Sequence, residues 1–331
     1  MKRISFNKRL SRLKTGCIIT WIINFICFYI TLQAAAIFIL VRKHSTNQQI
    51  ITILTYSMPI CLLIAAIVML IISHNAAKML ITASSDGAIE VTDGEVFNVV
   101  NEMRIAAGLR KMPKVYISNS PVANAYAVSN RSESAIVFTQ PLLNILNRQQ
   151  LQAVAGHELG HVTSGDCRTM TTLVGLTSIT AIISGIFSRM FYFRDDRSSS
   201  NSNPLAIALI AISFITLLAM PLVSTIARMF MSRERESAAD ALSVKYSRNP
   251  NNLATALLAI ENYYNNLEQG NVNPDDDKDY NKKVKKFNNT VGMMAFWGKN
   301  SLMSTHPSTE NRIKSLVQMG ADSRMLLLHA K

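Results

Sequence analysis

Two long uncharged apolar runs early in the chain restrict its fold more than anything else in the sequence. The first, Ile18 to Val41, reads IITWIINFICFYITLQAAAIFILV, and the second extends from Ile50 to Ile72. Each matches the roughly 20 residues that a helix needs to cross a bilayer. A loop of about eight residues separates them, which fits a helical hairpin better than a cleaved leader with its shorter apolar region and small-residue cleavage site. Lys2, Arg3, Lys8, Arg9, Arg12 and Lys14 all precede the first run. The positive-inside rule therefore puts the N-terminus in the cytoplasm and the loop at 42–49 outside.

A net charge of +13 raises nucleic acid as a partner, but that reading wants basic residues clustered on a soluble motif. Here the N-terminal cluster abuts a membrane run, so anionic lipid is the expected partner and nucleic acid is not. The four cysteines form no CxxC pair, and Cys17, Cys27 and Cys61 lie in or beside the first two spans. They read as small apolar fillers, not as a disulfide framework or a metal site.

Beyond the hairpin, a polar helical stretch from Gly94 to Gly108 leads to two short β-branched and aromatic runs, Val115 to Ile117 and Ala135 to Thr139. Ala123 to Val128 can also be extended and Ser129 to Ser134 supplies turn residues, so a small sheet or hairpin is expected. From Pro141 the apolar residues of LLNILNRQQLQAVAGHELGHV recur at helical spacing. Two further apolar stretches, Met170 to Phe193 and Pro204 to Met231, flank the polar RDDRSSSNSN and are expected to span as a second hairpin. Helices through Ser232 to Tyr246 and Leu253 to Tyr264 follow, then NVNPDDDKDYNKKVKKFNN, which has little to bury and reads as a solvated loop.

The chemistry sits in H-E-L-G-H, His157 to His161. Residues four apart on a helix are displaced by only about 40°, so His157 and His161 can meet one metal ion, while Glu158 is offset to act on a water molecule without ligating. Zinc acidifies water and a carboxylate removes its proton, the division of labour that peptide hydrolysis needs. With six histidines in 331 residues, chance would supply this pattern about 0.003 times. A catalytic zinc needs a third protein ligand, and no histidine follows within a dozen residues of His161, so a glutamate is expected. S-R-E-R-E-S-A-A-D, Ser232 to Asp240, offers Glu234 and Glu236. Asp166 reads as an N-cap for the third apolar helix. Arg312 can brace Asp240, meet a substrate carboxylate, or face solvent.

H-E-L-G-H, the S-R-x-R-E-x-x-A-D segment after a hydrophobic hairpin, and T-H-P-S-T-E-N-R-I near the end together resemble the HtpX family of bacterial membrane metallopeptidases, over nearly the whole chain. The resemblance implies a gluzincin fold, a cytoplasmic catalytic domain and a role in membrane-protein quality control. It implies that Glu236 is the third ligand, that Asp240 orients a zinc histidine, and that His306 lines the cleft near the developing oxyanion. Helix spacing agrees: Asp240 lies about 40° from Glu236 but about 240° from Glu234. P-V-A-N-A-Y-A-V, Pro121 to Val128, resembles the family's edge strand beside the cleft, where Asn124, Ala125 and Tyr126 would bind an extended substrate by main-chain hydrogen bonds. Ser237 and the charged loop at 274–286 depart from the pattern.

The expected architecture is a mainly α membrane protein: a zincin-like catalytic domain with a small β-sheet, plus two to four transmembrane helices. Residues 1–17 form a basic tail, 18–73 a transmembrane hairpin, 74–169 the first part of the catalytic domain, 170–231 a hydrophobic helical hairpin, and 232–331 the second part with the third ligand. The expected activity is a zinc endopeptidase, one Zn2+ per chain, in the bacterial inner membrane, cleaving misfolded or unassembled membrane proteins. Oligomeric state is open. The rival is a zinc-binding membrane adaptor or transport subunit without turnover, which would have no need of Glu158.

Overall fold

A computed structural model describes residues 46–84, 87–172, 235–268 and 308–324, with scattered single positions that include Gln33 and Phe296. The basic tail, most of the first apolar run, nearly all of the hairpin at 170–231, Glu234, the charged loop and His306 lie outside the described residues. Two compact units are present: Ile18–His74 with Leu173–Arg228, and Met1–Cys17 with Asn75–Thr172 and Met229–Lys331.

Helix α1, Asn47–Ser84, whose residues up to His74 belong to the first unit, begins at a reciprocal cap, with Gln49 N–H donating to Thr46 Oγ1 at 3.3 Å and Thr46 N–H to Gln49 Oε1 at 2.9 Å. Its part from Asn47 to Ile71 is 25 residues long, about 37 Å at helical rise, enough to cross a hydrocarbon core. Among the described residues it is the one helix long and apolar enough to do so. Ile60, Leu63, Ile67 and Leu70 are exposed, whereas Ser57, Cys61, Ala65 and Met69 are buried at four-residue spacing. Apolar exposure on this scale suits lipid as the solvent. Ser57 Oγ donates to Gln33 Oε1 at 2.9 Å and Gln33 Nε2 to Tyr29 OH at 3.1 Å, so these polar groups satisfy one another.

The second unit contains a four-stranded sheet in the order β1-β2-β4-β3, made of β1 Ile89–Val91, β2 Lys114–Ser118, β3 Ala125–Ser129 and β4 Ser134–Thr139. β3 and β4 form the expected hairpin: Asn130 Oδ1 accepts the Ser132 and Glu133 N–H groups at 2.9 and 2.8 Å and closes the turn. β2 joins β4 in parallel, which local sequence patterning cannot foretell because parallel neighbours are linked by a crossover.

Helices α2, Gly94–Ala106, and α4, Arg148–Ser164, pack together, and α4 also packs on β3 and on α5, Pro250–Glu268. Short α3, Gln140–Ile145, connects the sheet to α4, and α6, Thr309–Gln318, packs on α5. Asn147 and Gln150 build a capping box at the start of α4, and Gly165, at φ 78°, ends it in the left-handed conformation. Every residue from Ala153 to His161 is buried, so α4 is the central helix of this unit.

Two glycines on α4 decide how near its partner comes. A Cβ on Gly160 would lie 3.2 Å from Leu242 Cβ and 3.3 Å from Ala239 Cα, and one on Gly156 would lie 3.4 Å from Ser243 Cα. The helical segment 235–247 therefore rests against backbone, and Ser243 Oγ donates to Ala153 O at 2.5 Å. This close approach carries Glu236 and Asp240 to the histidines.

Candidate metal centre

Nε2 of His157 lies 3.2 Å from Nε2 of His161 and 3.4 Å from Glu236 Oε2, and His161 Nε2 lies 3.6 Å from Glu236 Oε1. Tetrahedral zinc with bonds of about 2.0–2.1 Å sets its ligand atoms about 3.3–3.4 Å apart. Each imidazole nitrogen thus lies about one zinc-ligand spacing from the other and from one oxygen of the Glu236 carboxylate, and among the described residues these three form the one cluster able to hold a metal.

The other ring nitrogens fix the protonation. His157 Nδ1 is 2.9 Å from Asp240 Oδ1, and His161 Nδ1 is 3.2 Å from Asp166 Oδ2. An ionised carboxylate only accepts, so each Nδ1 carries the proton and each Nε2 presents a lone pair. Two lone pairs and the Glu236 carboxylate then converge on one buried point, which calls for a cation. Without one, a proton takes the place: burial disfavours the imidazolium, but the hydrogen bonds it donates to Asp240 and Glu236 outweigh that and raise His157 to about 9.

Charge leads to the same conclusion. Among the described residues, Glu158, Asp166, Glu236 and Asp240 are buried with Arg235 and Arg312, so four carboxylates against two guanidinium groups leave a negative excess when ionised, which a divalent ion would neutralise. Burial alone would raise the carboxyls of Asp166 and Asp240. The facing His161 and Arg235, and for Asp240 the Arg312 guanidinium, hold both below the usual range instead. Glu158 differs. Neither of its oxygens has a hydrogen-bond partner among the described residues, and burial raises its carboxyl above the ordinary value.

Arg312, one of whose expected alternatives faced solvent, is buried and braces Asp240 through Nε at 3.0 Å and Nη2 at 2.7 Å. Its Nη1 donates to Phe296 O at 2.8 Å, and the Phe296 ring meets the His157 ring edge-on at 4.9 Å. Asp166 adds to the sequence reading. It does stand at the start of the helical stretch that follows Gly165, but its carboxylate meets His161, because Gly165 breaks α4 and turns the chain. Arg235 stood in the S-R-x-R-E-x-x-A-D segment without a role assigned to it and Phe296 had no signal in the sequence; their roles depend on contacts between segments far apart in the chain.

β3 lies at the sheet edge, as expected, but its edge is not free along Asn124, Ala125 and Tyr126. Asn124 turns its main chain to β4, its C=O accepting from Thr139 N–H at 3.0 Å and its N–H donating to Thr139 Oγ1 at 2.8 Å. The alternation of antiparallel pairing turns Tyr126 toward Val137 in the same way. Ala125 and Ala127 face away from β4, and Ala125 O already accepts Phe296 N–H at 2.7 Å.

Residues 90–319 match the sequence profile of Peptidase family M48. The chain belongs to that family. Within M48, it is 35% identical over 261 residues to a protease HtpX homolog of Lactobacillus helveticus, covering 76% of this chain and 83% of the relative. To the Streptococcus equi subsp. equi HtpX homolog it is 31% identical over 263 residues, covering 78% and 84%. The HtpX resemblance and a metalloprotease activity are thereby shown. The crystal structure of S. mikatae Ste24p aligns with 92% of this chain and 66% of its own, at a TM-score of 0.45 and 18% identity, too distant to carry argument.

Proposed function

We propose that this M48 peptidase is a membrane-anchored zinc endopeptidase in which His157, His161 and Glu236 hold the ion and Glu158 is the general base. The observation that carries this reading is Glu158 itself: a buried carboxylate without a described partner, next to a ligand histidine, is costly unless a bound water or substrate completes it. Zinc, when bound, acidifies water and polarises the scissile carbonyl. Glu158 takes the proton from the attacking water and passes it to the leaving amine, a task that its raised pKa suits. Asp240, held by Arg312, keeps the His157 tautomer correct.

His306 is assigned to the developing oxyanion on the strength of the HtpX pattern. A substrate chain pairing with the edge of β3 beside Asn124, Ala125 and Tyr126 would have to displace Phe296 from Ala125 O, and Ala127 is the next position that faces away from β4. With the basic N-terminal tail inside, the catalytic unit faces the cytoplasm of a bacterium, and its substrates are misfolded or unassembled membrane proteins.

Purified protein in detergent, wild type and Glu158→Gln, tests the reading by metal analysis and casein hydrolysis. Both should carry one zinc per chain and only the wild type should cleave. Undiminished cleavage by Glu158→Gln would remove it from the role of base, and one zinc with no cleavage by the wild type would favour an adaptor.

A further inference from the structure

The two histidines are supported in parallel. His157 leans on Asp240, which Arg312 grips; His161 leans on Asp166, whose Oδ2 lies 3.1 Å from Arg235 Nε. Asp166 and Arg235 are 5% and 3% exposed, so this second pair is as enclosed as the first. On an unbroken helix Asp166 would point about 140° away from His161. Gly165 at φ 78° undoes that, and Ser164 Oγ donates to Asp166 Oδ1 at 2.7 Å and fixes the carboxylate in place. Arg235 also reaches the third ligand, with Nη2 3.4 Å from Glu236 Oε1.

We infer that Asp166 and Arg235 act as one positioning unit for zinc, Asp166 holding the His161 tautomer and Arg235 tying that carboxylate to Glu236. The inference rests on the zinc reading above. Its physical content is specific. His161 can offer Nε2 to the ion only while Nδ1 keeps its proton, and Asp166, which can only accept, enforces this. An asparagine in its place can turn its amide to donate and so select the wrong tautomer. Arg235 holds two carboxylates at fixed positions, so its loss removes a cation from Asp166 Oδ2 and from Glu236 Oε1, one beside each of two zinc contacts.

The test is chelator competition for zinc on the full-length protein in detergent, comparing wild type, Asp166→Asn, Arg235→Gln and the double variant. Each single variant should bind zinc about 10–100-fold more weakly, and the double should lose no more than the worse single. A folded Asp166→Asn, judged by its elution and metal-free melting, that binds zinc within about threefold of wild type would overturn the inference. So would losses that multiply in the double variant. If Asp166→Asn does not fold, Arg235→Lys decides, since it keeps the charge but cannot reach both carboxylates; wild-type affinity there overturns the unit. A wild type that binds no zinc sinks the zinc reading first, and is told apart by the same titration.

Discussion

Arg312 grips both oxygens of Asp240, through Nε at 3.0 Å and Nη2 at 2.7 Å, although 72 residues separate the two. The pair is buried and forked, so a lysine, which presents a single point of charge, cannot reproduce it. Arg312→Lys is expected to retain the fold and to cleave about 10–100-fold more slowly at limiting zinc. Arg312→Met leaves the Asp240 carboxylate buried without its cation, and should lower stability by about 3–5 kcal/mol. Thermal melts and zinc titrations of both variants check this. A lysine variant with wild-type zinc affinity would show that the fork is dispensable.

Gly160 makes the contact between α4 and the segment 235–247. A methyl there meets Leu242 Cβ at 3.2 Å and the Ala239 backbone at 3.3 and 3.4 Å. Backbone cannot swing aside as a side-chain tip can, so Gly160→Ala must part the helices. The expected cost is about 1–3 kcal/mol, and because the parting carries Glu236 away from His157, zinc affinity should fall with stability. Gly165→Ala is a useful contrast, since nothing lies near its Cβ and the strain is in φ alone. Loss of stability with unchanged zinc affinity in Gly160→Ala would separate helix packing from ligand placement.

How much of this was legible in the sequence follows from distance along the chain. His157, Glu158 and His161 lie on one helix turn and are readable from spacing alone. Glu236 needed the resemblance and the spacing to Asp240, because no local rule says which of two glutamates faces a site formed by another helix. Asp166 was read only as the start of the next helix, where it does lie; its contact with His161 was not legible, since the turn at Gly165 that aims it there is a backbone event, not a pattern. The parallel pairing of β2 with β4, and Phe296 against both Ala125 and His157, depend on contacts that no window of sequence contains.

Removing the metal should unsettle the whole unit, beyond the loss of chemistry. The two Nε2 atoms and the Glu236 carboxylate would face one another across contacts of 3.2–3.6 Å, relieved only by a proton. Excess chelator is expected to abolish cleavage and to lower the melting temperature by several degrees, with zinc restoring both, because an ion bound only by the folded state adds its binding free energy to stability. A melting temperature indifferent to chelator, in protein shown to have lost its zinc, would mean that the site is held open by the fold alone.

The choice between Glu234 and Glu236 gives the sharpest test of the ligand set. Glu236 is 1% exposed, with Oε2 3.4 Å from His157 Nε2 and Oε1 3.6 Å from His161 Nε2. Glu234 lies outside the described residues; on a helix continued back through it, it would stand about 200° round from Glu236. Asp240, four residues after Glu236, shares its face and meets His157, which fixes the register independently of the glutamate. Glu236→Ala should therefore lose zinc and cleavage together, Glu158→Gln should lose cleavage and keep zinc, and Glu234→Ala should change neither by more than about threefold. Zinc retained by Glu236→Ala and lost from Glu234→Ala would mean that the register is wrong, and with it the placement of Asp240 and Arg235.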